Sequence, residues 1–316
     1  MDNNKLLPAA ANGFHEVIEQ RDHVLAAFSA SLDIRKSSKT TYTKAVMRFF
    51  DYLQENGSGN PTRQDILAYK AYLQERYSVN TTNTYLCAIK QFFSFTADVG
   101  IYPNITTKVK KLKVPKGHKK DDFSVQQAKI ILDSMGRDSL QEKRDFAIVN
   151  TMLRTGLRDI EVSRACIRDI RNRSGHTVLY VYGKGHDEAD QFVILTQKAY
   201  EAILDYLRSR KAAGQNVSEN SALFAAFGNR NMGGHMTPRS ISRIVKGTLV
   251  SAGYDSDRWT AHSLRHSAVS ISLAAGASII DAKDMARHNN VETTMIYAHN
   301  AQRLSHGAEY AIDNVL

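Results

Sequence analysis

The chain has 316 residues, of which 42% are hydrophobic, so it is long enough for two domains with ordinary cores. Its 42 lysines and arginines exceed its 32 aspartates and glutamates, and the net charge of +10 favours an anionic partner, nucleic acid first. No signal peptide opens the chain, and no apolar run approaches the ~20 residues of a membrane span, which argues against membrane binding. Cys87 and Cys166 are predicted to be reduced core residues of a cytoplasmic protein.

The front of the chain is predicted to be a helical domain over residues 16–105, preceded by a flexible arm over residues 1–15. Apolar residues recur every three or four positions in several stretches, and turn residues such as Asn56-Gly57 and Pro61 separate these stretches. The pattern indicates a bundle of four to five helices.

Polar residues cluster at two helix starts of this bundle. Lys39 and Thr41 lie at one start and Asn83 lies at the other. Helix N-termini that carry lysines and hydroxyl groups suit contacts with DNA phosphates. Ordinary N-capping explains the hydroxyl groups equally well, so both interpretations stay open.

A lysine-rich linker is predicted over residues 106–122. Seven lysines occur between Thr106 and Lys120 without an acidic residue among them, and Pro115 and Gly117 interrupt the run. A block of like charge with proline and glycine is typical of a linker, and the excess of lysine favours one that lies along a polyanion. The DNA-contacting lysines predicted here are Lys116, Lys119 and Lys120.

The remaining residues, 123–316, are predicted to form a second domain that is mainly α-helical with a small antiparallel β-sheet. Ser124 begins a helix with a capping-box pattern, and a second helix runs from about Arg144 to Thr155. The β pattern consists of residues 177–182 and 191–195, a hairpin whose turn contains Gly183-Lys184-Gly185. The later helices are predicted at residues 199–210, 240–251, from about 262 to Gly276, and from Ser278.

Several polar residues of this domain together suit the chemistry of a phosphodiester. Transfer of a phosphoryl group needs positive charge on the non-bridging oxygens, a nucleophile, and a proton for the leaving oxygen. Arginines, histidines and a lysine can supply the charge and the proton, and a tyrosine can be the nucleophile. The candidates are Arg158, Lys184, His262, Arg265, His288 and Tyr297.

The motifs that carry these residues resemble those of the tyrosine recombinases, the phage-type integrase family. Thr155-Gly-Leu-Arg-x-x-Glu161, the Gly-Lys-Gly turn, His262-x-Leu-Arg-His266 and Thr293-Thr-x-x-Tyr-x-His299 stand in the family's order and approximate spacing. The resemblance is strong over residues 124–300, and it extends more weakly to the front domain as the family's DNA-contacting core-binding domain. It implies a helical core-binding domain followed by an α+β catalytic domain.

The resemblance also implies a role for each candidate. Arg158, Arg265 and His262 would bind the scissile phosphate, and His262 could also take the proton of the nucleophile. Lys184 would protonate the leaving 5′ oxygen, His288 would complete the pocket, and Tyr297 would form a 3′-phosphotyrosyl link. Glu161 would brace the arginines.

One departure from the family concerns the residues before the second histidine. The family usually has Leu-Gly there, whereas this chain has Ala286-Arg287 before His288. Arg287 could alter the backbone at this point or add a phosphate contact.

The implied function is a site-specific DNA recombinase that works through a Holliday junction, as a tetramer on double-stranded DNA and as a monomer when free, without a metal or another cofactor. No clear extra N-terminal domain of the kind that binds integrase arm sites is predicted, which favours a simple integrase, resolvase, inversion or mobile-element recombinase over a large phage integrase. The segment with Tyr310 is expected to pack on its own subunit or on a neighbour.

Three other functions compete with this one. A zinc enzyme could use His262 and His266, but a third ligand and an acidic base are missing nearby. A DNA-binding regulator leaves the motif residues unexplained. A type IB topoisomerase shares much of the pocket, and synapsis of two DNA sites would distinguish it from a recombinase.

Overall fold

The computed structural model of the chain describes residues 13–114, 122–182, 190–228 and 231–297. Contacts between residues divide the chain into two units, Met1–Gly117 and His118–Leu316. The described parts of both units are mainly helical, and the second unit also contains a three-stranded antiparallel sheet. The predicted fold class is thereby confirmed. None of the described helices is both long enough and apolar enough to span a bilayer.

The front unit is a helical bundle with an aromatic core. Phe49 and Phe50 from one helix and Phe92 and Phe93 from another are fully buried and pack ring against ring. Such rings bury large apolar areas and prefer the edge-on geometry that several of these pairs adopt. The helices are α1 (Phe14–Glu19), α2 (Arg21–Ser31), α3 (Lys36–Glu55), α4 (Arg63–Arg76) and α5 (Val79–Asp98).

The structure corrects the sequence-based limits of this unit at both ends. Phe14 begins α1 and is fully buried, so the predicted arm over residues 1–15 extends too far. The side chain of Asn83 donates to the carbonyl oxygen of Leu112 at 3.0 Å and accepts from its amide at 2.8 Å. Thr106 and Val109 are buried. The first part of the predicted linker therefore packs on the bundle, because its polar backbone groups find partners there.

In the second unit, α7 supplies the central helix of the core. Ala147, Ile148, Val149 and Met152 are fully buried, and the helix packs against α9 and α11. The helices are α6 (Val125–Asp133), α7 (Leu140–Thr155), α8 (Asp159–Arg164), α9 (Gln197–Ala212), α10 (Pro238–Ser251), α11 (Ala261–Ala274) and α12 (Ile279–Ala286).

The sheet confirms the predicted hairpin and adds a third strand. Its strands are β1 (Ile170–Arg173), β2 (His176–Val181) and β3 (Gln191–Ile194), in the order β1-β2-β3. Leu179 of β2 pairs with Ile170 on one side and with Val193 on the other. Strand β1 was not predicted, because most of its residues are exposed and polar and it lacks the alternation of a half-buried strand.

Helix ends in this unit follow local capping signals. Ser124 and Ser278 form capping boxes, as predicted, and Gly276 has the positive φ of 94° expected just after α11. Helix α7 begins earlier than predicted, because Ser139 and Glu142 form a capping box that the sequence analysis overlooked.

Candidate active site

The candidate site is built around Glu161, which is fully buried in the first turn of α8. Its carboxylate accepts the backbone N–H of Arg158 at 2.8 Å and the Arg158 guanidinium at 2.6 Å. It also accepts Nη2 of Arg287 at 2.7 Å. Burial alone would raise the pKa of Glu161, but the positive charge of Arg287 and the hydrogen bonds from Arg158 and Arg287 outweigh burial and lower it. Glu161 is therefore ionised and holds the two arginines.

Arg265 ties this group to the ends of two helices. Its Nη1 donates to the carbonyl oxygen of Gly156, just after α7, at 2.5 Å, and its Nη2 donates to the carbonyl oxygen of Ala286, at the end of α12. Burial, together with the charges of Arg158 and Arg287, lowers the pKa of the Arg265 guanidinium to about 9. Because the charges of Arg158 and Arg287 contribute to this shift, a bound anion would relieve the repulsion among the three cations.

Arg287 is held inside the protein at the position where the family usually has glycine. Its φ of 53° lies in the left-handed region, where glycine carries no steric cost. Besides the ion pair with Glu161, its guanidinium donates to the carbonyl oxygens of Met285 at 2.6 Å and Gly156 at 3.3 Å. The guanidinium thus braces the site from within, and only 8% of the residue's surface is exposed.

His288 follows Arg287 and belongs to the same group. Its Nδ1 lies 2.9 Å from the hydroxyl of Thr294, which is fully buried. Partial burial and then the charges of Arg265 and Arg158 lower the pKa of His288 to about 4. The imidazole is therefore neutral at pH 7 and can donate a hydrogen bond from one ring nitrogen only.

Tyr297 reaches the site from the segment after α12. It is buried with Val269, Ala282 and Ala286, and its hydroxyl hydrogen-bonds to Nδ1 of His266. His266 was not among the catalytic candidates predicted from the sequence. It follows His262 by four residues, the spacing that places two side chains on one face of a helix, and this spacing was the available signal.

A basic cleft adjoins His262, and it too was not predicted from the sequence. The cleft has a volume of about 480 Å³, and it is lined by His262, by three cations of α10 and by the aspartates Asp159 and Asp257. The cations are Arg239, Arg243 and Lys246, spaced four and three residues apart, so they share one face of the helix. Arg239 and Arg243 are exposed.

The structure therefore joins Arg158 directly to Glu161 and to the carbonyl oxygen of Arg287. Arg265 shares the carbonyl oxygen of Gly156 with Arg287, His288 follows Arg287 in the chain, and Tyr297 packs on the end of α12. His262 is exposed on the neighbouring cleft. Lys184, Lys116, Lys119 and Lys120 lie outside the described residues.

The predicted DNA contacts of the front unit lie on α3 and α5. The hydroxyl of Thr41 donates to the carbonyl oxygen of Ser37 within α3, so it does not cap the helix. Lys39 is half-buried, and the side-chain amide of Asn83 holds Leu112. Contacts of Lys39, Thr41 and Asn83 with DNA stay predictions.

Among the described residues, no group of three or more His, Cys, Asp or Glu side chains could hold a metal ion. His262 and His266, the pair on which a zinc site would depend, have ring centroids 6.1 Å apart, and His266 contacts Tyr297.

The chain thus combines a helical front unit with a mixed second unit that carries an arginine cluster and Tyr297. The profile of the Phage integrase family matches residues 122–303, and that of the Phage integrase N-terminal SAM-like domain matches residues 23–101. The chain belongs to the phage integrase family and functions as a site-specific DNA recombinase. A type IB topoisomerase or a non-catalytic regulator is not favoured.

Curated relatives are similar over most of the chain. The tyrosine recombinase XerD of Rickettsia prowazekii (strain Madrid E) is 27% identical over 279 residues, which are 84% of this chain and 88% of the relative. The tyrosine recombinase XerC of Halalkalibacterium halodurans is 25% identical over 291 residues, which are 89% of this chain and 93% of the relative.

Solved structures share the fold. A crystal structure of the XerH site-specific recombinase bound to a palindromic difH substrate, a post-cleavage complex, has a TM-score of 0.74 at 18% identity and covers 97% of this chain and 91% of that chain. A crystal structure of a lambda integrase (75-356) dimer bound to a COC' core site has a TM-score of 0.65 at 14% identity, and it covers 90% of this chain and 94% of that chain.

Proposed function

We propose that the chain cuts and rejoins two DNA duplexes through a 3′-phosphotyrosyl intermediate and a Holliday junction, with Tyr297 as the nucleophile. The observation that carries this proposal is the physical connection between the arginine cluster and the segment that bears Tyr297. Arg265 donates to Ala286 and Arg158 donates to the carbonyl oxygen of Arg287 at 3.1 Å, so both guanidiniums bind the end of α12.

The charge of the cluster suits a phosphodiester. Arg158, Arg265 and Arg287 carry three positive charges against the single carboxylate of Glu161. The excess positive charge would be neutralised by a phosphate and still more by the dianionic transition state, in which charge grows on the non-bridging oxygens. We assign Arg158, Arg265 and His262 to the phosphate and His288, neutral at pH 7, to a hydrogen bond that completes the pocket.

In the proposed step, the Tyr297 oxygen forms a bond to phosphorus and the bond from phosphorus to the 5′ oxygen breaks. The phenolic proton leaves to a base, and the departing 5′ oxygen takes a proton that we assign to Lys184. Rejoining reverses these transfers, with a 5′ hydroxyl attacking the phosphotyrosine. No metal or other cofactor takes part.

The basic cleft beside His262 extends the proposed DNA surface. Arg239 and Arg243 are exposed on α10, next to the histidine that we assign to the scissile phosphate. Cations at this place would bind neighbouring phosphates or base edges of the same duplex. Lys39, Thr41, Asn83 and the linker lysines would contact the DNA backbone elsewhere.

We further propose that the protein works in the cytoplasm and serves a mobile genetic element or a similar simple integration, resolution or inversion system. For its assembly, we propose a monomer when the protein is free and a tetramer on its recombination sites. Membership of the phage integrase family supports this assembly. Light scattering of the free chain and of the complex with two DNA sites would test it, and a dimer as the largest active complex would contradict it.

The central experiment uses Tyr297→Phe and DNA nicked near the cleavage point, so that the cut fragment diffuses away and the covalent complex accumulates. The wild-type chain should form a covalent protein–DNA band, and Tyr297→Phe should bind the DNA but form none, because only the nucleophilic oxygen is lost. Tyr310→Phe is the matched control and should form the band. If Tyr297→Phe forms the covalent band and Tyr310→Phe does not, the nucleophile is Tyr310. The wild-type reaction should survive EDTA.

A second experiment tests the linker. Replacing Lys116, Lys119 and Lys120 by alanine should weaken binding to any duplex, and the slope of log K against log salt should fall by about 0.9 for each phosphate that the variant no longer neutralises. An unchanged slope would show that these lysines face the solvent.

A further inference from the structure

The base that activates Tyr297 can be sought among the described residues. A free phenol has a pKa near 10 and is mostly protonated at pH 7, so attack on phosphorus needs a proton acceptor within hydrogen-bond reach. The family resemblance suggests His262 for this task. In the structure, the Tyr297 hydroxyl hydrogen-bonds to Nδ1 of His266, the neighbouring histidine of the same helix.

The two histidines of α11 are in different environments. His262 is exposed and lines the cleft with the cations of α10. His266 is half-buried, and its ring centroid lies 5.3 Å from that of Tyr297. Arg265, next to it in sequence, is directed to Gly156 and Ala286 instead. Helix α11 thus directs Arg265, which we assign to the phosphate, to one side, and the next residue, His266, to the nucleophile Tyr297.

We infer that His266 is a catalytic residue that accepts the phenolic proton of Tyr297 during attack. The O–H bond of Tyr297 breaks, its oxygen bonds to phosphorus, and the proton moves to Nδ1, which gives an imidazolium. In the rejoining step the imidazolium returns the proton to the departing tyrosine oxygen, so protons balance over the two steps.

The neighbouring groups suit this transfer. The charge on His266 is one of the causes that lower the pKa of His288, so the two imidazoles do not both carry a proton at pH 7. His288 stays neutral while His266 gains and loses its charge. The proposed division gives His262 the phosphate and His266 the nucleophile.

This inference rests on the proposed function, and the experiment separates the two. Single-turnover formation of the covalent complex is measured for the wild type, His266→Asn and the matched control His262→Asn. Each chain is prepared with tyrosine at position 297 and with 3,5-difluorotyrosine there, a phenol that is more acidic. Asparagine places an amide where Nδ1 was, so it can keep the hydrogen bond but cannot take up the proton.

We expect His266→Asn to bind DNA normally and to form the complex about 10²–10⁴ times more slowly than the wild type. Difluorotyrosine should narrow this gap by at least about tenfold, because a more acidic phenol depends less on a base. His262→Asn should be slower than the wild type by a factor that is the same with tyrosine and with difluorotyrosine at position 297. DNA whose bridging 5′ oxygen is replaced by sulfur should not rescue His266→Asn, since sulfur removes the need for a leaving-group proton only.

Three results would overturn the inference. If His266→Asn is as fast as the wild type or faster, the contact holds the nucleophile without activating it. If the ratio of the wild-type rate to the His266→Asn rate is the same with both phenols, His266 only positions Tyr297. If difluorotyrosine narrows the gap of His262→Asn instead, His262 is the base. Failure of the wild type itself to form a covalent complex would instead contradict the proposed function.

Discussion

The two units of the molecule bury different kinds of side chain. Among residues 13–114, the buried polar side chains are Thr82, Thr96 and Thr106, around a core of phenylalanine and tyrosine rings. In the described part of the second unit, four arginines and two acidic residues are buried. They are Arg144, Arg210, Arg265, Arg287, Glu161 and Asp169.

This difference separates a scaffold from a site. Aromatic burial stabilises a bundle through apolar area and requires no charged partner. A buried ion loses several kcal/mol of hydration, about as much as a domain can spare, unless a partner compensates. Some of the buried arginines satisfy the protein alone, such as Arg210, which donates to Ala222 at 2.7 Å. The arginines around Glu161 carry more positive charge than its one carboxylate neutralises, and this excess charge would bind a phosphate.

The largest effect is expected from a substitution at Glu161, the centre of the charged group. Glu161→Gln should lower the free energy of unfolding of the second unit by about 3–5 kcal/mol, because it leaves Arg287 buried without an anion. Urea denaturation followed by the fluorescence of Trp259, the chain's one tryptophan, would measure it, since this ring stacks on Phe123 within the second unit.

The control for Glu161→Gln is Asp205→Asn, which breaks the surface pair of Asp205 with Lys143, 3.1 Å apart. This loss should stay below about 1 kcal/mol because solvent screens the pair. Equal losses from both variants would mean that the charged group around Glu161 is effectively solvated.

A smaller loss is expected for Arg287→Gly, which restores the family's usual residue. Glycine relieves the left-handed backbone, but the ion pair with Glu161 disappears, and Glu161 keeps Arg158 as its partner. The net loss should be about 1–3 kcal/mol by the same denaturation.

Ser174→Gly is the matched control, since Ser174 has a φ of 49° in an exposed turn without such an ion pair. This variant should be neutral or slightly stabilising. If Arg287→Gly is also more stable than the wild type, the guanidinium of Arg287 does not brace the site.

A third prediction concerns pH. The pKa of His288 is about 4 in the folded chain against an ordinary 6.5, so between these values the unfolded chain binds more protons. Stability from this group is complete above about pH 6.5 and is lost as the pH falls toward 4. The effect should be smaller than that of Glu161→Gln, because His288 is only half-buried and solvent screens its charge.

Denaturation at pH 7 and pH 5 measures this effect, and His288→Gln should reduce the difference between the two pH values. An unchanged difference would assign the pH dependence to other groups. Glu161 acts at lower pH, since its lowered pKa preserves its contribution until the pH falls below the ordinary carboxyl range.

The smallest effect is expected in the front unit, whose buried polar side chains are uncharged. Asn83→Ala removes the two hydrogen bonds to Leu112 and should cost about 1 kcal/mol or a little more. Hydrogen exchange of the Leu112 amide should accelerate, while Trp259 denaturation stays as in the wild type. Asn80→Ala, on the exposed face of the same helix, should leave the Leu112 amide protected. Protection of that amide in Asn83→Ala would show that the segment is held by other contacts.

Local sequence was enough to predict the class of protein and most of its helices. Helix periodicity and capping depend on near neighbours, so the capping boxes at Ser124 and Ser278 and the turn at Gly276 could be predicted from short stretches of the chain. The chemistry of phosphoryl transfer restricts residue types within short motifs, so Arg158 and Tyr297 could also be proposed as site residues from the chain alone.

Features that depend on partners distant in sequence required the tertiary structure. Strand β1 forms because β2 pairs with it, and its own polar residues do not predict it. The role of Arg287 depends on Glu161, 126 residues away, so its neighbours in sequence could not show whether it faces DNA or the interior. The partner of Tyr297 was equally undetermined, because His262 and His266 lie one turn apart on α11 and only the packing of the segment after α12 brings the hydroxyl to His266.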